Sequence, residues 1–175
     1  MDIVGDLMRS MVSGDNLNAL GKSVGVDKEK AQSLLRLSLP VVLGSMATTA
    51  SKPGGTEMLA KLLTQAGGNN PMDNPGAFLS NPAAAGGSAM VSSLFGSQTD
   101  TVQNVIAQKS GLPPVVISKV MAIAAPMVMG YVGKMFVQQK MDPAGLPTLL
   151  GMQSKMAMQA SPEAATLLKQ LMALK

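Results

Sequence analysis

The chain has no cysteine and no histidine among its 175 residues. Without cysteine there are no disulfides, no thiolate metal sites and no thiol nucleophile. Without histidine it lacks the side chain that titrates most readily near neutral pH, which is also the commonest metal ligand. Tryptophan is absent too, and aromatic residues make up 2% of the chain. That leaves little from which to build a stacking platform for single-stranded nucleic acid. Charge is scarce: charged residues are 14%, against about 25% in an ordinary soluble domain. A thinly charged surface favours association, because charge is what keeps proteins apart in solution. No segment alternates apolar and polar residues as a half-buried strand does.

Apolar residues, by contrast, make up 46%, and 16 residues are methionine. They are mainly Leu, Met and Ala, which favour helix. The fold class expected is therefore all-α and multi-helical, with no sheet. A chain of this length is long enough to bury a real core. Its start, "MDIVGDLMRSM", carries Asp2 and Asp6 and no basic region before an apolar run. It does not read as a secretion signal, so the expected location is cytoplasmic.

Helix punctuation is frequent. Asp2 can cap a first helix bearing Ile3, Val4, Leu7, Met8 and Met11 on one stripe, ended near Gly14. Asp15 or Asn16 can open a second helix that closes at Gly25, and Asp27 a third with Ala31, Leu34, Leu35 and Ser38 on one face. Thr56 opens another that stops at Gly67. Asp100, Pro113 or Pro114, Asp142 and Ser161–Pro162 mark later starts, with Pro147 casting doubt on the continuity of the segment after Asp142. Residues 66–98 are rich in Gly, Asn, Pro and Ser and read as a linker with a short helix from Ser88 to Phe95. The expected organisation is an N-terminal helical unit, 1–65, this linker, 66–98, and a C-terminal helical unit, 99–175, the two units packing as one domain.

The chain also repeats itself. Residues 23–47, "SVGVDKEKAQSLLRLSLPVVLGSMA", align with residues 109–133, "KSGLPPVVISKVMAIAAPMVMGYVG", at a constant offset of 86. Gly25 meets Gly111, Pro40 meets Pro126 and Gly44 meets Gly130. The expected unit is helix, Gly turn, helix, Pro joint, apolar helix, occurring as two pseudo-repeats. A proline inside a helix costs about 3 kcal/mol, so a break is expected at each joint, with one helix ending near Ala124. The 14 uncharged residues from Val120 to Gly133 fall short of the ~20 that span a bilayer, and read as buried core.

The stretches "SLFGSQ", "IAQKSGL", "APMVMG" and "DPAGLPTLLG" resemble the bacterial family catalogued as domain of unknown function 937, the YidB-like proteins. The N-terminal "LGKSVGVDKEKAQSLLRLSLPVVLGSMA" is similar to the first half of that family, and the likeness covers most of residues 17–151. The resemblance implies an α-helical, repeat-containing bacterial protein. It carries over no catalytic residue.

Candidate sites are weak when each is set against its plain alternative. "GKS" at Gly21–Ser23 lacks the upstream glycine and strand of a phosphate loop, position 16 being Asn. The segment 17–37 resembles a helix-turn-helix from which Lys28, Lys30, Gln32 and Arg36 would project, but the second copy places Pro114, Val115, Val116 and Ser118 there. The seven lysines after residue 98 (Lys109, Lys119, Lys134, Lys140, Lys155, Lys169 and Lys175) are scattered, which fits a solvated face better than a nucleic-acid groove. Met152 and Met156 share a helix face on which thioethers can hold a soft metal, whereas Met127 and Met129 do not. Methionine more often fills cores and adaptable interfaces. Ser118 with Lys119 cannot act as a dyad from adjacent helix positions, and Asp2 with Asp6, or Asp27 with Glu29, are placed as caps and first-turn charges.

The sequence thus gives no catalytic, cofactor-binding or metal residues, no cofactor and no small-molecule substrate. The expectation is a non-enzymatic helical protein that self-associates into a homo-oligomer or higher assembly. The alternatives are a peripheral membrane or envelope-associated protein and, less favoured, a nucleic-acid binder through segment 17–37.

Overall fold

A computed structural model describes residues 3–12, 16–67, 73–80 and 87–173. Among them the chain is helical throughout, with no strand. The elements are α1 (Ile3–Val12), α2 (Asn16–Val24), α3 (Lys28–Ala50), α4 (Gly55–Gly67), α5 (Pro75–Ser80), α6 (Gly87–Phe95), α7 (Thr99–Ser110), α8 (Pro114–Gln138), α9 (Leu146–Ala160) and α10 (Pro162–Ala173). Short 3₁₀ turns at Gly96–Gln98 and Pro143–Gly145 lead into α7 and α9.

Local signals set most boundaries. The Asp27 carboxylate accepts from the Lys30 N–H at 2.9 Å and caps α3. Asp142 accepts from the Ala144 N–H at 3.0 Å, and the Ser161 hydroxyl from the Ala164 N–H at 3.3 Å, ahead of α9 and α10. Gly25 and Gly111 take φ of +85° and +74° at the turns before α3 and α8, a left-handed conformation that glycine adopts without strain. Pro147 sits in the first turn of α9, where its missing N–H has no partner to lose, and the helix runs on. Asp2, Gly14 and Asp15 lie outside the described residues.

The two long helices form the centre. Every residue of α3 from Leu37 to Gly44 is buried, and every residue of α8 from Ile123 to Gly130. They touch each other, α4 packs along α8, and α9 packs along α3. The helix that follows each central helix therefore covers the central helix of the other half. One apolar cluster runs through both halves, worth about 25 cal/mol for each Å² of apolar surface removed from water.

Neither proline ends its helix. Both α3 and α8 continue through Pro40 and Pro126, so the helix end expected near Ala124 is absent. Burial on both sides outweighs the local penalty, since Leu39, Val41, Ala125 and Met127 are all 0% exposed. Each proline still frees the carbonyl four residues back. At Pro40 that carbonyl belongs to Arg36, an exposed residue, where water can bond it. At Pro126 it belongs to Ala122, and Gly87 rests on it: a Cβ added at Gly87 would fall 1.7 Å from the Ala122 carbonyl oxygen.

Within the stretch 66–98, the described residues form helices. It holds α6, close to the short helix expected from Ser88, and also α5, which the sequence did not reveal. Phe78 and Leu79 of α5 are buried, and the Ser23 hydroxyl donates to the Leu79 carbonyl at 2.7 Å. The N-terminal helix is tied down twice. Its Ile3 N–H donates to the buried Gln153 side chain at 3.0 Å, and the Tyr131 hydroxyl donates to Asp6 at 2.7 Å.

Candidate interaction surfaces

The residues singled out from sequence do not converge on a reaction centre. Gly21, Lys22 and Ser23 lie on helix α2, not on a loop; Lys22 is exposed and Ser23 is engaged with α5. Asp6 is paired with Arg9 and Tyr131, and Asp27 is occupied as a cap. Ser118 is half-buried and Lys119 exposed on α8. Among the described residues no three Asp or Glu come together as metal ligands. Met127 and Met129 are buried, 0% and 1% exposed, and out of reach of solvent.

Three surface features remain. The first is the α2–α3 corner. Asn18, Ala19, Lys22, Val26 and Asp27–Glu29 line an open groove of about 720 Å³ there. Lys28, Lys30 and Arg36 are exposed and Gln32 is half-buried, but α3 sinks into the core from Leu37 onward. Acids and bases alternate along this corner, so its field largely cancels at a distance.

The second is a groove of about 540 Å³ between the α3–α4 turn and the α6–α7 junction. Thr49, Lys52, Pro53, Gly54, Gly55 and Met58 form one wall, and Ser93–Gln98 the other. Gly55 lets the α3–α4 turn fold tightly within its own wall: a Cβ there would stand 1.7 Å from the Thr49 carbonyl oxygen. Segments 44 residues apart in sequence, Thr49 and Ser93, meet here, which no local pattern announces.

The third is the outer face of α9. Met152 is 59% exposed and Met156 38%, four residues apart and on one side of the helix. Gly151, in the helix interior, is exposed, and among the described residues no atom beyond its chain neighbours and its own helix backbone lies within 4 Å of where its Cβ would be. Lys155 is the one charged residue in α9.

The family model for a bacterial protein of unknown function, DUF937, matches residues 6–135. The chain belongs to this family. The matched span takes in α1 through most of α8, including the groove walls at Thr49–Met58 and Ser93–Gln98, and ends before α9 and α10. The exposed methionine face therefore lies beyond the matched span. No curated protein and no solved structure matches the chain.

Among the described residues two helices, Lys28–Ala50 and Pro114–Gln138, are long and apolar enough to cross a membrane, with mean hydropathies of 1.3 and 1.8 over their most apolar windows. Some 72% and 67% of those windows are buried against the rest of the chain, as core helices are.

Proposed function

We propose that this is a non-enzymatic, self-associating helical protein, and that a second copy docks on the outer face of α9. Gly151 carries the reading. Glycine inside a helix costs about 1 kcal/mol relative to alanine, and no other element among the described residues packs against this position closely enough to require it. A closely approaching helix is the usual physical reason for such a residue, because it lets two backbones come together. Met152 and Met156 flank the notch and supply adaptable apolar surface. A face with one lysine offers little repulsion to a copy of itself. No catalytic constellation competes with this reading among the described residues.

The test is Gly151→Leu, which should act with opposite signs on folding and assembly. Leucine is the better helix former, so the monomer should gain about 0.7 kcal/mol in denaturant unfolding. The added side chain fills the notch, so the dissociation constant measured by analytical ultracentrifugation should rise about tenfold or more. Unchanged association in this variant would remove α9 from the interface.

A further inference from the structure

The last two helices form an arm that leans on the first half of the chain. Helix α9 packs along α3, and α10 packs on α3 and α7. Among the described residues neither packs along α8, the helix they follow. The seats are specific. Leu168 of α10 rests on the bare backbone of Gly44, where an added Cβ would fall 2.8 Å from its two methyl carbons. The buried Gln153 of α9 accepts the Ile3 N–H at 3.0 Å. Leu146, Leu150, Ala164 and Leu167 are 0% exposed. One joint, residues 139–145, ties this arm to α8.

Six of the seven joint residues are exposed, and Met141 is half-buried. Lys140 has φ +49°, and among the described residues it is the one non-glycine in the left-handed region. It stands just past the end of α8. There the Lys140 N–H donates to the Val137 carbonyl at 3.3 Å and the Met141 N–H to the Phe136 carbonyl at 3.0 Å. Glycine usually fills that place, because a side chain is crowded in the left-handed conformation that this helix ending requires. The joint after α3 has a left-handed residue as well, and there it is glycine, Gly54 at φ +73°. The chain therefore closes its last arm at a conformational cost that the earlier joint avoids.

We propose that two copies docked through α9 exchange their arms, each α9–α10 pair seating on α3 of the other chain, with residues 139–145 opened as the hinge. The exchange rests on the association proposed above, which holds two arms side by side. Every contact of the arm is remade in the exchanged pair, so the joint decides between the two arrangements. An opened joint lets Lys140 leave the left-handed region, and a hinge under strain favours exchange. The reach is sufficient. Seven extended residues span up to about 23 Å, and packed helices stand about 8–10 Å apart. The face bearing Met152 and Met156 points away from α3 whichever chain supplies that helix.

Because the chain has no cysteine, one engineered pair reports the arrangement. Gly44→Cys with Leu168→Cys places two thiols where α3 meets α10, the lost leucine making room for the new side chain. The full chain is refolded at high micromolar concentration, oxidised with oxidised glutathione and run on a denaturing gel without reductant. Exchange gives a linked species of twice the 18.0 kDa chain mass, which reductant returns to one chain. A second reading needs no cysteine. Exchanged dimers part only when an arm releases, so after dilution gel filtration should show a slowly dissociating fraction. Lys140→Gly relieves the closed joint in both chains and should cut that fraction about tenfold or more. Lys140→Pro, with φ held near −65°, should enlarge it. Cross-links confined to single chains, in a protein that still associates, overturn the exchange and leave the α9 docking face standing. A slow fraction indifferent to both Lys140 substitutions also overturns it. Absence of any association removes the docking face and the exchange together.

Discussion

Replacing Gly87 with alanine should cost the protein about 3 kcal/mol of stability, the upper part of the range for an overpacked site. The new methyl group would lie 1.7 Å from the Ala122 carbonyl oxygen and 2.6 Å from its carbon. Flexible side chains can move aside from such a collision. A backbone carbonyl in the middle of α8 cannot, because α8 is buried from Ile123 to Gly130 and packed on both α3 and α4. The carbonyl is also held outward by Pro126, which has no N–H to draw it back into the helix. Helix α6 would have to lift from α8, exposing Val91 and Phe95, which are 3% and 8% exposed in place. Chemical denaturation and thermal melting both measure this, and a midpoint lowered by roughly 6–12 °C is expected for a chain of this length. A variant within about 0.5 kcal/mol of the parent, the scatter of ordinary surface changes, would show that Gly87 does not stand where described.

Converting Met152 and Met156 together to glutamate should abolish self-association while leaving the fold intact. Both side chains are substantially exposed in the single chain, and glutamate is a good helix former. Monomer stability should therefore move little. At an interface the effect is large. Covering a methionine is worth about 1.5–3 kcal/mol, and burying an unpaired carboxylate is unfavourable. In a twofold dimer each substitution counts twice. The dissociation constant should rise by a factor of about a hundred or more. Sedimentation equilibrium of parent and variant, with circular dichroism to confirm helicity, makes the comparison. Equal association in the two proteins would place the interface elsewhere.

The sequence made the helices readable because their ends carry local signals. Asp27, Gly25, Gly111, Asp142 and Ser161–Pro162 act within three or four residues, so their meaning survives without knowledge of the fold. The prolines were misleading for the converse reason. The cost of Pro40 or Pro126 is local and visible, whereas the compensation comes from residues packed on both flanks, and the close approach of Gly87 to Ala122 joins positions 35 apart in the chain. Helix α5 was hidden by its composition, PGAFLS, and is held by Phe78, Leu79 and a contact from Ser23. The methionine pair on α9 could be placed on one face from spacing alone, but its exposure could not, since Met46, Met121 and Met127 are fully buried. The groove at Thr49 was beyond reach: it is formed by the α3–α4 turn and the α6–α7 junction, which are far apart in sequence.

Self-association is the claim on which the functional account depends, and light scattering after gel filtration, across a concentration series of the purified chain, tests it most directly. The account predicts a mass above the 18.0 kDa of one chain, rising with concentration towards a dimer or larger assembly. A constant mass of one chain up to high micromolar concentration would contradict it.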